Sequence, residues 1–181
     1  MTEPKPFSPV KLICGIIASD EKFFKRAEER LVELYGSLDL ASQLFAFNFT
    51  DYYEKQMGQN LKRKFVSFGK LISPEELSGI KIRTNALEEE IKEEFKAGKR
   101  IVNLDPGYMT ASALIMATAK DFAHRIPLQH GIYAHLELLF GKNDVRTLSW
   151  TYPDFETESY RMFLLDARRI YLSQIQSQIK S

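Results

Sequence analysis

The side chains best suited to chemistry in this sequence crowd into one stretch, Lys99 to Phe140. It holds all three histidines, His124, His130 and His135, together with Asp105, Asp121 and Arg125. An imidazole with an ordinary pKa of about 6.5 can accept or donate a proton near neutral pH. A guanidinium offers a planar fork to phosphate or carboxylate. In Lys120-Asp121-Phe122-Ala123-His124-Arg125 both groups follow an apolar run directly. Asp121 and His124 are three residues apart, so on a helix one would orient the other. The chemical reading makes His124 a proton-transfer group, Asp121 its partner and Arg125 the anion clamp. The plain alternative is a helix C-terminus whose Lys, His and Arg complement the helix dipole.

The second candidate is Asn103-Leu104-Asp105-Pro106-Gly107-Tyr108-Met109-Thr110. Pro106-Gly107 suits the centre of a type II turn, whose second position needs φ > 0. Ala111–Ala119 has almost no polar residue and is predicted to be a buried helix. A strand, a turn and a helix in that order present free N–H groups to an anion. Gly107, Tyr108 and Thr110 are the expected ligand-binding positions. Asp105, at the strand's end, would reach a metal or a ribose hydroxyl, or would simply pin the turn through its own backbone. The glycines and lysine of a P-loop are missing. The expected site is a hollow shared by the two ends of the predicted helix, with Asp105, Asp121 and His124 as catalytic candidates and Arg125 on the ligand.

Other features carry less. Along Ile132–Phe140, Tyr133, His135 and Glu137 share one face, which either lines a pocket or, the commoner case, meets water. His130 falls in a tight turn. No histidine pair has zinc-motif spacing, and no spacing supports a Mg²⁺ or Mn²⁺ site, so metal and cofactor stay unassigned. Asp51-Tyr52-Tyr53-Glu54 and Trp150-Thr151-Tyr152-Pro153-Asp154 are aromatic-acidic clusters that suit either a shared cleft or a dimer rim. Lys62-Arg63-Lys64 suits an anion site or, more often for such a trio, a solvated strand entry, rather than a nucleic-acid patch.

The elements that must position these groups follow from periodicity. Lys11–Ser19 is a continuous apolar run, as for a strand buried on both faces. A helix follows over Asp20–Tyr35, capped by Ser19 or Asp20 and stopped by Gly36. Leu44–Phe49 reads as a strand, and Thr50 or Asp51 caps a short turn closed by Gly58. Lys62–Ile72 is the next strand. Ser73-Pro74-Glu75-Glu76 is a capping box opening a helix to about Ala97, with Thr84 and Asn85 as a possible break. Arg100–Leu104 is a strand, as are Ala123–Leu128, Ile132–Phe140 and Thr147–Tyr152. Residues 141–144 are a loop, and a helix over about Glu156–Gln178 ends the chain. The first six elements have the order of a ferredoxin-like βαββαβ unit. The fold class expected is α+β, a mixed and mostly antiparallel sheet with helices packed on it, as one domain over residues 11–181 behind a loose arm over residues 1–10.

The composition excludes some classes. The 181 residues carry a net charge of +1, which gives no field for nucleic acid or an acidic membrane. A single cysteine, Cys14, in an apolar run excludes an internal disulfide and fits a cytoplasmic location. No run approaches the ~20 apolar residues of a membrane span.

Seven strings, PVKLICGI, FNFTDYYEKQMG, LKRKFVSF, NLDPGYMT, KDFAHRI, GIYAHLELLF and WTYPDF, resemble in order a prokaryotic family, domain of unknown function 4416. No activity, substrate or cofactor comes with the resemblance. It implies that DPGY and KD-x-x-HR belong to the family pattern, here Asp105–Tyr108 and Lys120, Asp121, His124 and Arg125, while position 135 is not fixed. Two functions remain open. One is a small-molecule enzyme or binding protein for an anionic ligand, phosphorylated or nucleotide-like. The other is a non-enzymatic interaction or homodimerisation module that uses the aromatic rims Tyr52, Tyr53, Trp150 and Tyr152.

Overall fold

The computed structural model describes residues 3–49, 53–142 and 144–179. The expected caps Thr50 and Asp51, the rim residue Tyr52 and the loop residue Asn143 lie outside them. Every residue of the first strand, β1 (Val10–Ala18), is buried, as its unbroken apolar run requires. Helix α1 (Glu21–Tyr35) starts at Asp20, whose carboxylate accepts from the Lys22 N–H, and stops at Gly36 with φ +92°. Two short strands follow, β2 (Leu38–Ala41) and β3 (Phe45–Ala46), then the single-turn helix α2 (Glu54–Met57) closed by Gly58. Strand β4 spans Lys62–Ile72. The Ser73 N–H donates to the Glu76 carboxylate at 2.7 Å, and a 3₁₀ turn over Pro74–Glu76 leads into α3 (Leu77–Glu94) without a break at Thr84 or Asn85.

These strands and β5 (Val102–Met109) take the spatial order β2-β4-β1-β5, each neighbour antiparallel. That is the split arrangement the element order suggests. The sheet continues through β6 (Ala113–Thr118), β8 (Tyr133–Phe140) and β7 (Ile126–Pro127), with β9 (Val145–Arg146) on β8. All pairings among the described residues are antiparallel, so the sheet is not mixed. Helices α1 and α3 cover one face around Leu12, Cys14, Ile16 and Leu104. The last helix, α4 (Glu158–Ile179), covers the other through Tyr160, Phe163, Leu164 and Ala167, which meet Ile13, Phe65, Leu114 and Leu138.

Several local expectations fail, among them Ala123–Leu128, which is strand only at Ile126–Pro127. Ala111–Ala119 is not a helix; its centre is β6, with Leu114 and Met116 in the α4 core and Ile115 and Ala117 packed beside Leu77 and Ile132. A short run apolar on both sides has no period to tell the two apart, and burial on both faces of a sheet decides it. Pro106-Gly107 is not a turn but lies within β5, and Gly107 does not have a positive φ. Thr147–Tyr152 forms no strand; Thr151 instead turns that segment, accepting from the Leu148 N–H and donating to the Glu137 carbonyl.

Candidate functional site

The site begins with a proline. Along β5, Leu104, Pro106 and Tyr108 turn their backbone groups toward β6, and Tyr108 pairs with Ile115. Pro106 has no N–H to offer, and the β5–β6 ladder runs only over Gly107–Met109. Beyond it the two strands part. The Leu104 N–H, left without a strand partner, donates to Glu88 at 2.6 Å, and its carbonyl accepts from Lys81 Nζ at 2.7 Å. Two buried side chains of α3 thus stand in for the missing strand. Burial pushes the Glu88 carboxyl up, against the pull of Arg100 and Lys81.

Arg63, from β4, is the hub of the opened side. Its guanidinium lies across β1 at Gly15, where an added Cβ would come within 3.1 Å of it. It reaches Asp105 on β5 at 2.8 Å and also binds Asp154, from the 3₁₀ turn Pro153–Glu156. The rings of Phe47, Phe65 and Phe155 surround it with centroids 5.1–5.4 Å from Cζ. Burial works against this charge, but Asp154 and Asp105 outweigh it and hold its pKa above the ordinary arginine value. Asn103 donates to Asp105 at 2.7 Å and accepts from Arg100, which also pairs with Glu88. The Asp105 charge, followed by burial, raises the Tyr53 phenol.

The other wall comes from β8. His135 and Glu137, on one face of the strand, are both buried, contrary to the solvated reading. His135 Nδ1 lies 3.2 Å from Arg125 Nε and 3.1 Å from His124 Nε2. An arginine N–H only donates, so Nδ1 accepts and the His135 proton sits on Nε2. That nitrogen is 2.8 Å from Glu137 Oε2 but off the hydrogen-bond direction. Glu137 Oε1 accepts from the Tyr152 N–H at 2.7 Å. Trp150 stacks on His124 at 4.8 Å and Tyr152 on His135 at 5.3 Å.

Between these walls lies a cleft of about 900 Å³. Its inner charges are Arg63, Lys81 and Arg100 against Glu88, Asp105, Glu137 and Asp154; its outer ones are Lys55, Lys92, Lys99 and Lys120 against Glu89. Phe47, Phe49, Tyr53 and Tyr152 supply aromatic lining. Among the described residues no group of three or more His, Cys, Asp or Glu side chains is arranged to hold a metal ion.

Of the residues chosen from sequence, Asp105 lines this cleft. His124 and Arg125 adjoin His135 instead of lining it. Arg125 spends its donors on His135, the Lys120 carbonyl and the Tyr152 hydroxyl, so it positions protein groups. Asp121 is exposed in a non-helical segment, and ring stacking orients His124. Gly107 packs against β6, where an added Cβ would meet Met116 Sδ at 2.5 Å and the Ile115 carbonyl at 2.6 Å. Tyr108 lies on the helix-covered face. Thr110 turns the β5–β6 hairpin, its hydroxyl accepting from the Ser112 and Ala113 N–H groups. Sequence reasoning misses Lys81 and Glu88; it reads Arg63 chiefly as part of a solvated strand entry, and it names Asp154, which lines this cleft, within a cluster suited to a cleft or a rim. For His135 and Glu137 the signal is the alternation of β8, which a pocket wall shares with the commoner solvated face.

No curated protein and no solved structure matches this chain. The family model described as "Domain of unknown function (DUF4416)" matches residues 8–171. Those residues include both walls of the cleft and nearly every element of the fold; by that match the chain belongs to the DUF4416 family.

Proposed function

We propose that the protein binds an anionic small molecule, phosphorylated or nucleotide-like, in the cleft between β5 and β6. One observation carries this reading: Arg63, Lys81, Glu88, His135, Glu137 and Asp154 are all buried and all line one cleft. Burying ionisable groups costs several kcal/mol each before pairing, and stability alone does not call for so many around one hollow. The outer lysines draw in the anionic end of the ligand, and the aromatic lining offers ring faces to the rest of it. Asp105 and the fully buried Glu137 are acceptors on the lining, and the His124–His135 pair, held by Arg125, is the group able to move a proton.

A thermal-shift series with inorganic phosphate, pyrophosphate and nucleoside monophosphates tests this, because a ligand that binds only the native state raises its stability. At least one of these anions is expected to raise Tm. Reversing Lys55 and Lys99 to Glu is expected to weaken its binding about tenfold or more, roughly the 1.4 kcal/mol expected of two mouth charges. No shift with any anion would overturn the reading.

A second reading is favoured by a different surface. Phe122, Ile126, Leu128 and Trp150 are exposed around the short edge strand β7, Phe122 63% and Ile126 66%. Such a patch suits a protein or homodimer interface. Concentration-dependent light scattering distinguishes it, because a monomer at all concentrations removes the homodimer.

A further inference from the structure

The charges of the cleft are sorted by depth. The outer part holds four lysines and one glutamate, while among the inner groups the carboxylates outnumber the cations by four to three. The inner pairings show which carboxylate is in excess. Arg63 takes Asp105 and Asp154, and Arg100 takes Glu88. Lys81 is bound to the Leu104 carbonyl and stands 3.7 Å from Asp105. Glu137 is left with a backbone N–H and with the His135 imidazole, whose Nε2 lies 2.8 Å away but off the hydrogen-bond direction. Its Oε2 is fully buried and makes no hydrogen bond among the described residues. A buried carboxylate without a cation is costly, and a donor arriving in the cleft would relieve it.

Resting on the ligand reading above, we propose that the ligand is an amino-bearing nucleotide, its exocyclic amine donating to Glu137 at the floor and its phosphate at the mouth lysines. A carboxylate accepts from an amine but rejects a ring that lacks that donor. A polar site left unpaired discriminates more strongly than an apolar one. The aromatic side chains Tyr53 and Tyr152, both on the lining, give a planar base a surface to stack on.

The test is isothermal titration of the intact protein with two ligand pairs that differ only in the amine. One is adenosine monophosphate against purine riboside monophosphate; the other is cytidine monophosphate against its deamino counterpart. At least one aminated member is expected to bind tenfold or more tighter than its partner. Glu137→Gln, which keeps the acceptor for the Tyr152 N–H and removes the charge, is expected to abolish that preference while pyrophosphate binding survives. Equal binding within both pairs, with phosphate-dependent binding retained, would overturn this inference and leave the anion reading standing. Absence of binding by every phosphate would overturn both. The comparison in the unsubstituted protein decides the matter even if the variant does not fold.

Discussion

Arg63 shows what a single side chain does here. It joins β4, β5 and the Pro153–Glu156 turn through two carboxylates, inside a cage of three rings. Replacing it by Met keeps the volume and strands Asp154, buried, without its cation. Breaking a buried pair by removing one partner typically costs about 3–5 kcal/mol, so Arg63→Met is expected to lower the denaturation midpoint by that order, read by urea unfolding. His124 gives a pH prediction. Partial burial, then the neighbouring His135 and Arg125, hold its imidazole below the ordinary value of about 6.5. The unfolded chain therefore takes up this proton at a higher pH than the native one. Its contribution to stability is present above about pH 6.5 and is lost as the pH falls toward the native pKa. NMR titration is expected to place His124 below that value. His124→Gln should flatten the stability profile across that window, and Arg125→Gln should move the His124 titration upward.

At the scale of elements, the decisive event is the parting of β5 from β6 at Pro106 and its repair by α3. Glu88→Ala removes the acceptor of the Leu104 N–H and the partner of Arg100. An unsatisfied buried group costs about 1–3 kcal/mol. The expected result is a loss of that size, with the Leu104 amide losing its protection from hydrogen exchange while its neighbours in β1 keep theirs. Unchanged Leu104 protection would refute the substitute-strand account. The same region marks the limit of what the sequence reveals. Helix α1 is legible because its apolar stripe, Asp20 cap and Gly36 stop agree, α4 by its apolar stripe, and β4 by its run of Phe65, Val66, Phe68 and Leu71. Pro106-Gly107 misleads because the pair carries a turn signal, and only the neighbouring strand shows that the missing N–H ends a ladder instead. Once β6 is taken for a helix, the predicted hollow sits between the wrong ends. Asp105 is found for a partly wrong reason, and Arg63, 42 residues away along the chain, cannot be connected to it by local pattern.

At the scale of the molecule, the sheet is one layer between two unequal covers. The α1/α3 cover belongs to the ferredoxin-like half, and α4 closes the face shared by both halves. Burying a large apolar side chain contributes about 1.5–3 kcal/mol, and α4 buries Tyr160, Phe163, Leu164 and Tyr171. Their sum is comparable to the whole stability of a typical domain. A chain ending before Glu158 is expected to keep much of its helical circular dichroism, lose its near-ultraviolet signal and bind an apolar dye. A sharp, cooperative melt in that truncated chain would contradict this. Cys14, buried with its thiol pushed up by its apolar surroundings, is expected to stay inert to alkylation until the sheet opens.

Among the described residues the β5–β6 ladder that joins the β1–β5 half of the sheet to the β6–β9 half is three residue pairs long: Gly107 with Met116, Tyr108 with Ile115 and Met109 with Leu114. Mechanically that is a hinge pin at one end of a long slot. A small rotation about it changes the gap most at the end away from these pairs. A guest bridging the slot is expected to stiffen that rotation further, beyond the brace that α4 lays across both halves.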